Sequence, residues 1–399
     1  MARLDLVGVV ALLMVTTTST SRPAVEQVSM PNRRGAVAQR VCIVSDDLSG
    51  VADEGVKKFT VAIAAALRGE HRVGVISTKG PTASPGVTCV PAPRTFLSRS
   101  LRAELGRQNP DILIYAARGS ATYFSFLRSR ILKAYRPQAT VVLLGLQTRR
   151  HSSLQQKMIR RLAPDLVCVQ SPANRDYLES LGCRVELLPS GVDTETFRPV
   201  GARKRRELRT RYGLDPDLPV VLHVGHLTGG RRIDVLAELA TRKTCQVVLV
   251  GSSSTEQEAE LGEELRRAGV VVLTEYQPHI EHLYQLADCY VFPVESTNNA
   301  IEAPLSVLEA LACGVPVVTT RFGALPRMFA AQPQEQSCLV FVDSGEQLVD
   351  EAVRMCGERA EGARELVLPC SWRAVATAVL DQALRVRGAK IDRASGSVN

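Results

Sequence analysis

From residue 40 onward, short runs of β-branched and aliphatic residues alternate with segments whose apolar positions recur at helical spacing. The runs Val41–Ser45, Val73–Ser77, Ile112–Tyr115, Val141–Leu144, Leu166–Gln170 and Val185–Leu188 predict one series of strands. A second series is predicted at Val220–Val224, Val247–Val250, Val270–Leu273, Tyr290–Pro293, Pro316–Thr319 and Leu339–Val342. Most of these runs are apolar throughout, as strands covered on both faces must be, and helical stretches such as Val56–Leu67 and 256–267 separate them. Parallel sheets need such crossovers, so the chain reads as α/β, with two doubly wound, Rossmann-like domains.

The alternation breaks between Phe197 and Leu218, where prolines, glycines and a basic cluster precede a new strand. This divides the chain into a first domain over 40–198 and a second over 199–370. The cluster Arg203–Arg211 has no aromatic interleaving, so it reads as a solvated first helix of the second domain rather than a nucleic-acid patch. After Pro369 the pattern restarts a helix once the second sheet is complete, giving a separate element over 371–390 and a polar, disordered tail over Gly388–Asn399. Residues 1–39 read as an extension dispensable to the fold, with Met30 as an alternative beginning. Their apolar run Leu6–Val15 is too short to span a bilayer, and its flanks do not make a signal peptide.

A length of 399 residues, with 45% apolar and 23% charged residues, excludes wholesale disorder and a polytopic membrane protein. No segment after the first 30 residues approaches 18 uninterrupted apolar positions, so any membrane contact is expected to be peripheral. The ten cysteines lie mostly inside apolar runs, without metal-site spacing. They read as buried free thiols of a reducing compartment, and no metal is expected, His279 and His282 being ordinary histidines.

The densest chemistry lies in EAPLSVLEALACGVPVVTT, Glu302–Thr320. Pro304 suits a first helical position and Gly314 the position just past the helix end. A helix N-terminus would then open at the carboxyl edge of the sheet, where free N–H groups and the dipole can hold a diphosphate, with Glu309 placed to accept from a ribose diol. LHVGHLTGGRRIDVL, Leu222–Leu236, repeats the theme of strand, glycine turn and helix start. Arg231 and Arg232 would stand in a first helical turn, where the dipole disfavours cations and a neighbouring anion would explain them.

Taken together and in order, LLPSGVDTETFRP (Leu187–Pro199), HVGHLTGGRR (His223–Arg232), LYQLADCYVFPV (Leu283–Val294) and IEAPLSVLEALACGVPVVTT (Ile301–Thr320) resemble the retaining glycosyltransferases of the GT-B fold, in the group-one family, family four. A looser match places Gly55 in the family's glycine loop, and the helix containing Trp372 looks like the one that returns to the first domain. The resemblance implies two domains facing a cleft, the first binding the acceptor and the second a nucleoside-diphosphate sugar. It implies no cofactor and no metal. It puts Arg231 on the donor diphosphate, Glu309 on the ribose, Glu302 on the sugar hydroxyls, and the backbone at Leu305 and Ser306 on the phosphates. Gly55, Gly225 and His226 line the donor site, and Gln147 stands near the reaction centre. A retaining transfer then follows, by front-face attack of an acceptor hydroxyl.

Three positions depart from the family pattern. The usual spacing of the two glutamates would put the first at Ile301, and here Glu302 stands one residue later. His226 replaces the usual arginine, which leaves a weaker, pH-dependent cation. Gln147 occupies the place of a histidine, with His151 four residues on. The competing reading of a different class is a catalytically silent relative that keeps nucleotide or glycan binding as a partner subunit. Residues 1–200 hold 27 Lys and Arg against 15 Asp and Glu, and the remainder 22 against 26, so the net charge of +8 is +12 on one half and −4 on the other. The expected partners are therefore a nucleotide sugar, a glycan or lipid-linked acceptor and an anionic membrane surface, rather than nucleic acid, in a cytoplasmic setting at the inner membrane face.

Overall fold

A computed structural model of the chain describes residues 37–80, 84–252, 257–296, 300–330, 338–356 and 362–396. The run Leu6–Val15 and the alternative start at Met30 lie outside the described residues. The first sheet contains β1 (Arg40–Ser45), β2 (Arg72–Ser77), β3 (Val87–Cys89), β4 (Ile112–Ala116), β5 (Thr140–Gly145), β6 (Leu166–Val169) and β7 (Val185–Leu187). The second contains β8 (Val220–Gly225), β9 (Gln246–Gly251), β10 (Val271–Leu273), β11 (Cys289–Phe292), β12 (Val317–Thr320) and β13 (Leu339–Val342). Their orders are β3-β2-β1-β4-β5-β6-β7 and β10-β9-β8-β11-β12-β13, with every pairing parallel. Two doubly wound α/β units result, each reversing direction beside its first strand, at β1/β4 and β8/β11.

All twelve predicted strands are present. The added strand β3 is a short, partly exposed edge piece, VTC, and therefore lacks an apolar run. Each sheet is covered on both faces. Val41 and Ile43 enter the core on one side of the first sheet while Cys42 and Val44 enter the other, and Val220 and Leu222 oppose Val221 in the same way in the second.

Three expectations change. The helix Ala202–Arg211 is not merely solvated: Arg209 is buried and donates to Leu286 O and Asp288, and Arg205 also reaches Asp288, just ahead of β11. Val192 and Phe197 pack in the core of the second sheet although both precede residue 199. The polar tail continues the last helix, which runs Trp372–Gly396, because nothing after Gly388 breaks a helix before that point. That helix returns to the first domain and lays Val375, Ala376, Val379, Leu380, Ala383 and Val386 into its core. Trp372 meets Phe59 edge to face at 5.2 Å, and Arg387 reaches Asp111 at 3.0 Å. Hydrogen bonds from Arg40, and then from Arg387, hold Asp111 well below the usual carboxylate range. No described helix is long and apolar enough to cross a membrane.

Candidate functional site

The two domains enclose a cleft at the carboxyl ends of their strands. From the first domain come Gly55, at the start of the helix Gly55–Arg68, and Gln147, just past β5. The second contributes Gly225 and His226 at the end of β8, Arg231, and the opening of the helix Leu305–Ala312 with Pro304, Leu305, Ser306 and Glu309. Two helix N-termini thus open on one cavity, each offering free backbone N–H groups and the positive end of its dipole. Pro304 caps the helix rather than starting it, and Gly314 lies just past its end with φ +73°.

Arg231 is only 7% exposed and lies in a short turn, Gly229–Arg231, instead of a first helical turn. Arg232 adopts a left-handed conformation and turns away to Glu295, 2.7 Å distant. One arginine of the pair therefore serves the cleft. Burial lowers the Arg231 guanidinium to about 10, which still leaves it charged at neutral pH. A side chain on Gly225 would collide with it, because a Cβ there would stand 2.4 Å from Arg231 Nη1 and 2.9 Å from His223 Nε2. Gly225→Ala is expected to keep the melting temperature within a few degrees while lowering turnover at the cleft roughly 10- to 100-fold, since an ångström of misplacement costs about that much. Parallel thermal melts and rate measurements check this.

His226 is lowered to about 4 by burial and then by Arg231, so it is neutral at pH 7 and does not supply the second cation expected of it. Glu309 accepts from Tyr284 Oη at 2.8 Å and faces Lys58 Nζ at 3.4 Å. Lys58 was missed as a site residue. Its signal was present, because Lys57 and Lys58 follow Gly55 in the first turn of a helix, where the dipole disfavours cations in the same way as the argument made for Arg231. Tyr290, hydrogen-bonded to Val224 O at 3.2 Å and to Ser306, by contrast carried no readable pattern.

Glu302 is placed differently from the expectation. Ile301 lines the cleft against Gly55, whereas the Glu302 side chain, 1% exposed, turns into the first domain. Its Oε1 accepts from Thr148 Oγ1 and from Ser171 Oγ at 2.6 Å, and Oε2 is buried with no hydrogen-bond partner. The backbone explains the orientation. Glu302 N donates to Leu146 O at 2.9 Å, Glu302 O accepts from Ala324 N at 2.8 Å, and Ala303 N donates to Gln170 Oε1 at 2.9 Å. Gly323, at φ +52°, makes room for this, because a Cβ there would lie 2.3 Å from Glu302 O.

Gln147 faces the cleft and accepts from Arg149 Nη2 at 2.6 Å. His151 does not reach it, being held between Ala121 O at 2.9 Å and Tyr177 Oη at 3.0 Å. His279, Glu281 and His282 bring their ligand atoms within 4.8 Å of one another beside the cleft, the one grouping among the described residues able to hold a metal ion.

Two Rossmann-like domains facing a cleft, bridged by a returning C-terminal helix, make the GT-B architecture. Residues 218–358 match the family described as "Glycosyl transferases group 1". The likeness to the group 1 glycosyltransferases thus lies in the second domain. It is similar to the lipopolysaccharide core biosynthesis mannosyltransferase of Rhizobium meliloti, at 26% identity over 56% of this chain and 64% of that protein. It is also similar to the sulfoquinovosyl transferase of Arabidopsis thaliana, at 24% identity over 72% and 59% respectively. In both cases the match spans less than two thirds of the relative's own length. Among solved structures, the Anabaena protein HepE in complex with UDP and glucose superposes with a TM-score of 0.62 at 16% identity, over 90% of this chain and 99% of that one.

Proposed function

We propose that the protein is a retaining glycosyltransferase that moves a sugar from a nucleoside diphosphate to an acceptor hydroxyl without a metal. The carrying observation is the convergence of Arg231 and two helix N-termini on one cleft between the domains. A transfer of this kind passes through an oxocarbenium-like state as the nucleoside diphosphate departs, so stabilising the leaving group is the dominant demand. Arg231 and the N–H groups at Leu305 and Ser306 meet that charge, those near Gly55 approach it from the other domain, and Glu309 accepts from the ribose. Tyr276 and Gln277 line the cleft beyond them and stand where a base would lie. The acceptor enters from the first domain past Gln147 and attacks on the face the diphosphate leaves. HepE, which shares the fold, is bound to UDP and glucose, which supports a nucleotide-sugar donor.

The first domain also supports contact with an anionic membrane at a cytoplasmic face. The helix Ser153–Leu162 exposes Leu154 and Met158 beside Lys157, Arg160 and Arg161. The test is turnover of UDP-, GDP-, ADP- and dTDP-sugars by the full chain, with and without a chelator, and the product anomer read by NMR. Retention with chelator-insensitive turnover is expected. Nucleotide binding without turnover of any donor overturns the reading in favour of a silent binding subunit.

A further inference from the structure

A second cavity, of about 890 Å³, opens in the first domain. It lies over the carboxyl ends of β1, β2, β4 and β5, the strands that flank the reversal of that sheet. It adjoins the cleft at two places. Arg149 lines the cavity and donates to Gln147, which lines the cleft, and Arg118 lines the cavity 3.8 Å from Glu54 on the cleft side.

The charge of its wall is one-sided. Six cations, Lys79, Arg94, Arg118, Arg128, Arg149 and Arg150, face two carboxylates, Asp46 and Asp47. Both carboxylates are engaged within the wall: Asp46 Oδ1 accepts from Tyr115 Oη at 2.7 Å and Arg128 Nη1 at 2.8 Å, and Asp47 Oδ2 faces Arg118 at 3.1 Å and Lys79 at 3.4 Å. His151 adds no charge at neutral pH, because burial holds it below its usual value. An excess of four positive charges therefore lines one concave surface, which concentrates the field on whatever enters. Arg94 lies over Phe124 at 4.5 Å and Arg150 over Tyr177 at 4.4 Å, so an aromatic ring restrains each guanidinium. Arg149 is fixed by Nε to Gly119 O at 3.1 Å as well as by Gln147. Guanidinium groups match the oxygens of a phosphate, and a single carboxylate would neutralise only a quarter of the excess.

We propose that this cavity binds a phosphate group carried by the acceptor, held mainly by Arg94 and Arg150, so that a hydroxyl on the same molecule reaches the cleft past Gln147. The inference rests on the cleft being the donor site of a transferase, yet phosphate binding can be measured without turnover. The test uses the full chain and its Arg94→Ala/Arg150→Ala variant, both substituted residues being exposed. Binding of UDP, GDP, ADP and dTDP is titrated first, then binding of glycerol 1-phosphate in the presence of whichever of the four binds tightest, at saturation. Vesicles of phosphatidylcholine with phosphatidic acid, or with phosphatidylserine at equal charge, form a second arm.

The variant is expected to lose phosphate binding by about tenfold or more, one charge-assisted contact being worth that much, while binding of that nucleotide changes less than about twofold. Preference for glycerol 1-phosphate identifies a soluble phosphorylated acceptor, and preference for phosphatidic acid over phosphatidylserine a phospholipid-type one. Equal phosphate binding by both proteins, no binding in either arm, or phosphate that merely displaces the nucleotide overturns the proposal. Failure of UDP, GDP, ADP and dTDP alike to bind would instead overturn the donor-site reading.

Discussion

Replacing Arg231 by alanine is expected to lower kcat for nucleotide-sugar turnover by roughly 10²- to 10³-fold, the loss seen when one buried donor to a developing anion is removed. The group is 7% exposed, and at about 10 its guanidinium remains protonated through the neutral range. Its neighbour His226, held at about 4, is uncharged there and cannot compensate. Since leaving-group charge grows toward the transition state, the effect should fall on kcat more than on KM. For the same reason turnover should show no inflection from His226 between about pH 6 and 9, because its titration lies far below that window. Arg231→Lys should recover part of the rate, as a point charge without the planar fork. Wild-type kinetics in Arg231→Ala would remove this residue from the site.

Glu302→Ala is expected to act on the fold first. The carboxylate is buried at the contact between the domains, and its loss leaves the Thr148 and Ser171 hydroxyls without their acceptor. Stranding buried donors of this kind costs about 2–4 kcal/mol. At about 2–4 °C per kcal/mol for domains of this size, the melting temperature should fall by about 5 °C or more. Glu302→Gln keeps one acceptor oxygen and nearly the same shape, so it should lose less. Calorimetry beside steady-state kinetics separates this role from direct contact with the donor sugar. A large fall in kcat with an unchanged melting temperature in both variants would show that Glu302 acts on substrate after all.

Much of this was legible without coordinates. Continuous apolar runs such as ILIYA and VVLLG, too short for helices and separated by helical segments, read as strands buried on both faces, so the two parallel sheets were legible from pattern. The short edge strand Val87–Cys89 was not legible, since an exposed three-residue piece has no apolar face to show. Glycine positions were informative where a turn demanded them, as at Gly314, but the reason position 225 must be glycine was not readable until Arg231 proved to pass beside it.

Sequence by itself determined twelve of the strands, a helix beginning around Pro304 with Glu309 on its second turn, and the basic excess of the first half, because these depend on local period, local charge and composition. Tertiary structure alone decided which members of each pair serve the cleft. Arg231 enters while Arg232 leaves, and Ile301 faces the cavity while Glu302 turns into the first domain, because adjacent residues on a turn point opposite ways and long-range backbone hydrogen bonds select between them. Only the fold, too, gathers arginines from separate loops and the helix Tyr123–Tyr135 into one cavity, since residues 94, 118, 128, 149 and 150 meet at the carboxyl ends of a sheet whose strand order no local pattern states.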